Sequence, residues 1–147
     1  MGYRSTVAYT IRFTPFPSPQ EAENGDTPTE ADVKECKASF YTFLAEAKVK
    51  FSGAFDDDGM VVDESNMAVN FLAYDVKWYE TYEDVKVHEE LMSLSKAWDE
   101  MGNRNIGGIF MRIGEETDDI VEEAWGEHDY EWMHIHRSIE CDWEEAR

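Results

Sequence analysis

The chain has 147 residues, 42% hydrophobic and 14% aromatic, enough for one domain with a real core and too apolar for a disordered polymer. Its 13 basic and 33 acidic residues give a formal net charge of −20. That argues against direct nucleic-acid binding and against adhesion to an anionic membrane, because both need clustered Lys and Arg.

The first element is "STVAYTIRF". Val7, Tyr9, Ile11 and Phe13 face one way and Thr6, Ala8, Thr10 and Arg12 the other, which predicts a half-buried strand. "TPFPSPQEAENGD" interrupts it with Pro15, Pro17, Pro19 and Asn24-Gly25, so 15–26 is expected to be a Pro-rich loop with some polyproline II character. "TPTE" then opens a helix, with Thr27 as N-cap, Pro28 in the first turn and Glu30 as the capping-box acid. Val33, Cys36, Phe40, Phe43, Leu44 and Ala47 continue at helical spacing to about Lys50. Cys36 on that apolar face reads as a buried thiol, and it makes no CxxC with the distant Cys141.

"DDDG" is a turn, with short strands expected on either side, around 51–55 and 60–63. "MAVNFLAYDVKW" is apolar on both faces and predicts a central strand. "TYED" repeats the cap pattern with Thr81 and Asp84. Val85, His88, Leu91, Leu94, Trp98 and Met101 form the helical stripe, and Gly102 ends it. "IGGIFMRIG" is a strand with Ile109, Met111 and Ile113 on one side, and "YEWMHIHRSI" is another.

The run between them is ambiguous. Ile120, Val121, Ala124 and Trp125 fit a short helix stopped by Gly126, or the return arm of a hairpin turning within "GEETDD". Its short length and the flanking strands favour the hairpin. The whole then predicts a single α+β domain over 1–147. A mixed or antiparallel sheet carries two helices on one face, in ferredoxin-like βαββαβ order with a C-terminal β-hairpin appended.

Motifs for chemistry are sparse. In "FDDDGMVVDES", Gly59 at the sixth position of an EF-hand loop would make Ala54 the first ligand, so calcium is not supported. In "HDYEWMHIH", His134 and His136 lie about 7 Å apart on one side of a strand, a real ligand spacing. No third ligand is set by spacing among His128, Glu131 and Asp142, so neither a metal nor any other cofactor is expected. There is no GxSxG, GxGxxG or GxxxxGK[ST], and neither cysteine has a histidine beside it. Pairs such as Glu115/Glu116 and Glu122/Glu123 arise by chance among 33 acids. The chain reads as a non-enzyme.

What remains is a surface. Between Glu115 and Arg147 thirteen carboxylates face two arginines, Arg137 and Arg147, with apolar and aromatic residues interleaved. Glu115, Glu116, Asp118, Asp119, Glu122, Glu123, Glu127, Asp129 and Glu131, with Trp125 and Trp132, form the candidate binding surface. Trp78, Tyr79, Tyr82 and Trp143 are further exposed-aromatic candidates. Carboxylates steer a basic partner and aromatics supply contact area. A rigid array of carboxylates also imitates the phosphates of DNA. The bland alternative is a solvated acidic face over ordinary core tryptophans.

"MGYRSTVAYTIRF", "LAYDVKWYETYEDVKVHEEL", "FMRIGEETDDIVEE" and "HIHRSI" resemble a group of small acidic bacteriophage proteins that begin MGYRS and carry an aspartate-rich segment near the end. The likeness spans Met1 to about Ile139 and transfers no catalytic residue. It implies a phage product acting in the host cytoplasm, where such proteins often bind and inhibit nucleic-acid-handling or defence proteins. The absence of a membrane-length apolar run, and of a signal-peptide core in "MGYRSTVAY", agrees with a cytosolic, reduced setting. The expected partner is a basic surface of a host protein. Self-association, for instance into a homodimer serving a structural or accessory role, is the second arrangement.

Overall fold

The computed structural model of the chain describes residues 4–15, 29–79, 81–102, 105–116, 119–126, 132–135, 139–141 and 143. Five strands form an antiparallel sheet: β1 (Ser5–Phe13), β2 (Met60–Asp63), β3 (Ala68–Val76), β4 (Ile106–Ile113) and β5 (Ile120–Gly126), in the order β2-β3-β1-β4-β5. The helices are α1 (Glu30–Lys50), the single turn α2 (Ser52–Phe55) and α3 (Glu83–Glu100). A separate antiparallel pair, β6 (Met133–Ile135) and β7 (Ile139–Cys141), completes the described elements. None of the described helices is long and apolar enough to cross a membrane.

α1 and α3 cover one face of the sheet. There Val7, Tyr9, Ile11 and Phe13 of β1 join Phe71, Ile106 and Phe110 beneath Phe40, Phe43 and Leu44 of α1 and Leu91 of α3. Cys36 is buried in the same layer, and burial with the nearby Glu35 carboxylate pushes its thiol up to about 11, an unreactive state at neutral pH. On the other face, Ala8, Leu72, Ile109 and Met111 pack against Met133, Ile139, Trp132 and Trp143.

That second layer corrects the expectation of a half-buried β1. Thr10 is fully buried and Arg12 is 9% exposed. Arg12 lies under the rings of Trp132 and Trp143, at 4.8 and 5.8 Å, so cation–π contacts replace water around the guanidinium. Its Nε donates to Thr10 Oγ1 (3.1 Å), which donates to Asn70 Oδ1 (2.6 Å).

Helix starts are shifted from their predicted positions. α1 is capped by Thr29: its Oγ1 accepts from Asp32 N (3.1 Å), and Asp32 Oδ2 accepts from Thr29 N (2.9 Å). "TPTEAD" offers two Thr-x-x-acid frames, and the later one is used. Thr27, Pro28 and most of the 15–26 loop lie outside the described residues. Thr29→Ala is expected to cost about 1 kcal/mol, read as a lowered midpoint in urea denaturation. α3 starts from Tyr82 with no side-chain cap, rather than from Thr81; Glu83 and Asp84 stabilise its first turn through the helix dipole. Gly102, at φ +94°, follows its end as expected.

The segment 51–55 is the helical turn α2 rather than a strand, so "DDDG" is not a hairpin loop. Its Gly59 sits where a Cβ would come within 2.5 Å of Leu72 O. β2 instead pairs with β3 across the turn at 64–67. The "DDIVEEAW" ambiguity resolves as a strand, β5, paired in register with β4. Among the described residues β5 pairs with β4, and no pairing with the segment that follows it, the appended hairpin, is seen. That segment forms β6 and β7 and buries Met133 on the sheet's second face.

Candidate functional site

The antiparallel register brings one end of β1, β3, β4 and β5 together: Ser5 lies beside Val76, Thr6 beside Ile113, and Ile113 beside Ile120. The 56–59 turn enters β2 on this side, and α3 begins here because it follows β3. The end therefore collects Asp57, Asp58, Asp75, Glu83, Asp84, Glu115, Glu116 and Asp119 with Trp78, Tyr79 and Tyr82. Three cations of this region are held by its own acids. Arg4 Nη1 reaches Asp75 Oδ2 (3.7 Å), Lys86 Nζ reaches Glu83 Oε1 (3.7 Å), and Arg112 pairs with Asp119. The Arg4 backbone N–H also donates to Glu115 Oε1 (2.7 Å).

Two depressions meet at half-buried Trp78. The larger, of about 740 Å³, lies between α3 and the β4–β5 strands; Met92, Phe110 and Val121 supply apolar surface beside Tyr79. Two ion pairs cross it. Arg112 grips Asp119 with both terminal nitrogens (3.1 and 2.9 Å), and Lys96 pairs with Glu123 while lying 4.9 Å above the Trp125 ring. The smaller, of about 350 Å³, is lined by Arg4, Asp57, Asp75, Lys77, Tyr82 and Asp84.

Beneath the smaller depression runs a buried hydrogen-bond chain. Tyr9 Oη lies 2.6 Å from His88 Nδ1, and His88 Nε2 lies 3.0 Å from Asp57 Oδ2. His88 is 1% exposed, tilted against Phe71 at 4.3 Å and near Trp78 at 5.6 Å. Burial lowers its pKa below the usual value; hydrogen bonding and charge from Asp57, and the charge of Asp84, oppose this without reversing it. The ring is thus neutral. Tyr9 donates to Nδ1 and Nε2–H donates to the carboxylate, the assignment that satisfies every atom. Burial, with the Asp57 charge second, raises the Tyr9 pKa well above its usual value, so the phenol keeps its proton. The order Tyr-His-Asp has the sequence of a catalytic relay, but Tyr9 at its end is 0% exposed and closed off from solvent. The chain ties the Asp57 turn to α3 and β1.

The residues singled out from the sequence divide sharply. Glu115 and Glu116 are exposed on the β4–β5 turn. In the β4–β5 register, Glu122 sits opposite Met111 and points to the β6–β7 side, whereas Glu123 sits opposite Phe110 and points to the helix side. The two carboxylates therefore belong to different surfaces. Asp119 is engaged by Arg112. Trp125 is not a surface residue: it is 8% exposed, packs over Gly108 and donates from Nε1 to Ser95 Oγ (2.8 Å). Of β5's helix-side residues Val121 is half-buried and Glu123 exposed, and Trp125, which reaches Ser95 of α3, is the buried one. Trp132 is half-buried against Arg12, away from the acidic end.

Asp118, Glu127, Asp129, Glu131 and His136 lie outside the described residues, as do the alternative ligands His128 and Asp142; His134 contributes its backbone to β6. Among the described residues no group of three His, Cys, Asp or Glu is placed to hold a metal ion. The sequence reasoning missed Asp57, Asp75, Glu83 and Asp84, which lie far from 115–145 in the chain and reach the same end through topology. Comparison with protein-family models, with curated proteins and with solved structures finds no match.

Proposed function

We propose that the protein is a non-enzymatic acidic binding protein that occupies a basic surface of a bacterial host's nucleic-acid-handling or defence protein. The observation that carries this is the gathering of carboxylates from the 56–59 turn, β3, α3 and the β4–β5 turn around Trp78, Tyr79 and Tyr82. Aromatic surface beside fixed negative charge is what a basic protein surface recognises. Carboxylates held on a sheet end and a helix start also imitate the phosphates of DNA to a groove that binds DNA. The likeness of "MGYRSTVAYTIRF" and "FMRIGEETDDIVEE" to small acidic phage proteins supports a host-cytoplasm setting. The order β2-β3-β1-β4, with α1 and α3 each joining strands separated by one neighbour, supports a ferredoxin-like scaffold extended at one edge by β5.

Capture of partners from host lysate at low and high salt tests the proposal. The specific partner is expected to weaken by about 100-fold or more between 50 and 500 mM salt, because exposed charges lose their reach as the Debye length shrinks. Lysine substitutions at Glu83, Asp84, Glu115 and Glu116 together are expected to abolish capture at a cost of about 1–2 kcal/mol in stability, from the lost helix-dipole and Arg4 contacts, which leaves the chain folded. A partner indifferent to both changes overturns the proposal. A salt-independent homo-oligomer in light scattering would instead identify a self-assembling accessory protein.

A further inference from the structure

The 740 Å³ groove between α3 and the β4–β5 strands differs in charge from the acidic end it adjoins. Strand register fixes part of its floor, with Phe110 opposite Glu123 and Arg112 opposite Val121. Met92, Ser93 and Lys96 line it from α3, and Trp78 closes one end with its ring 6.4 Å from that of Phe110. Both cations of the groove already have an acid: Lys96 pairs with Glu123, and Arg112 with Asp119.

Those pairs select against a charged occupant. An ammonium or guanidinium group would have to compete with Lys96 or Arg112 for their acids. An anion would have to displace those acids while approaching a chain of −20. An uncharged group leaves both pairs whole. Polar atoms are nevertheless on offer. Among the described residues, the Trp78 indole N–H and the Thr81 and Ser93 hydroxyls have no hydrogen-bond partner, and all three residues line the groove. Rings of Trp78 and Phe110 and the thioether of Met92 favour an aromatic body over an aliphatic one. An aromatic body with one polar tip is a tyrosine or tryptophan side chain.

The setting of the groove decides what carries that side chain. Trp78 also lines the smaller depression, beside Asp57, Asp75 and Asp84. A polypeptide with basic residues next to an aromatic one meets both surfaces, whereas a free aromatic molecule meets one. We propose that the groove receives a tyrosine or tryptophan side chain of the partner, carried in a basic segment whose Lys or Arg residues lie over the acidic end. The proposal rests on the acidic-binding reading above and names the side chain that anchors the partner.

The probes are the capped peptides KKYKK, KKLKK and KKAKK, with p-cresol as the free ring. KKYKK is expected to bind about ten-fold or more tightly than KKAKK, with KKLKK between them. Salt should weaken all three together and leave their ratios unchanged, because burial of a ring is not screened. Ser93→Trp, an exposed change that alters no charge, should fill the groove and bring KKYKK down to KKAKK. Its urea midpoint checks that the chain still folds. In the native chain, KKYKK should also move the methyl resonances of Met92 and Val121; unmoved methyls overturn the proposal even if Ser93→Trp fails to fold. Equal, salt-sensitive binding of KKYKK and KKAKK overturns it while leaving the acidic surface standing. So does a tyrosine preference that persists in a folded Ser93→Trp chain, or KKLKK binding as tightly as KKYKK. If p-cresol binds as tightly as KKYKK, the groove is a small-molecule site and partner docking is overturned. Failure of every peptide at low salt overturns it too, and the lysate experiment then judges the acidic surface separately.

Discussion

His88→Leu is expected to destabilise the protein by about 2–3 kcal/mol, and adding Tyr9→Phe is expected to recover most of that loss. The single change leaves the fully buried Tyr9 hydroxyl with no partner in an apolar layer beside Phe71. Desolvating a hydroxyl without a hydrogen bond costs about 1–3 kcal/mol, and lost packing around the ring adds to it. With both partners apolar, nothing is left unsatisfied inside. Asp57, whose side chain is 36% exposed, can turn to water. A double-mutant cycle in urea measures the coupling; additive losses would show that the Tyr9–His88 bond contributes nothing.

The same substitution should remove a pH dependence. The folded pKa of His88 is lowered by burial, so the neutral ring belongs to the native state. As pH falls through about 6.5, the unfolded chain takes up the proton first. The contribution of His88 is therefore full above that pH and is lost as pH falls toward the lower, folded value. Protonation of carboxylates relieves the −20 repulsion over a more acidic range and acts in the opposite direction. The difference between the native chain and His88→Leu isolates the histidine. Its gap in stability should narrow between about pH 7 and pH 5.

Gly108→Ala is expected to be costly for a one-carbon change, about 3 kcal/mol. A Cβ there would lie 2.3 Å from Trp125 Cζ2 and 2.5 Å from Cε2. The indole cannot yield at its end, because its Nε1 is tied to Ser95 Oγ at 2.8 Å and Lys96 lies over its face. Moving the ring breaks that hydrogen bond and lifts β5 from α3. Trp125→Leu in the same chain makes room, so the second cost of Gly108→Ala should fall to well under half of the first. Thermal melts of the four proteins in the cycle decide the matter. Equal costs in the two backgrounds would show that the indole is not what excludes the methyl group.

That glycine shows where sequence reading stopped. "IGGIFMRIG" was legible as a strand with Ile109, Met111 and Ile113 together, and its glycines were legible only as failing a nucleotide motif. Their use depends on Trp125, which stands opposite Gly108 only once β4 and β5 are paired. His88 is a similar case. Its place in the stripe with Val85 and Leu91 was visible, but its partners are 79 residues earlier and 31 residues earlier in the chain. The Asp-rich turn lacks calcium-loop spacing, yet one of its carboxylates, Asp57, closes that hydrogen-bond chain. Alternation alone puts Arg12 on the face away from Tyr9 and Ile11. Alternation tells which residues share a face, not whether another segment lies on it, and Trp132 and Trp143 lie on this one.

By itself the sequence determined the two long helices, the sheet strands except short β2's partner, and the excess of negative charge, but not the helical turn α2. These follow from periodicity, turn residues and composition, which act over a few residues or over the whole chain without regard to pairing. Only the tertiary structure decided that β1 is covered on both faces, that Trp125 is core, and that Glu122 and Glu123 serve opposite surfaces. It alone joined the acids of 56–84 to those of 115–119 at one end of the sheet. The physical reason is register: strand pairing sets which side chains from distant segments become neighbours, and no local preference encodes that distance.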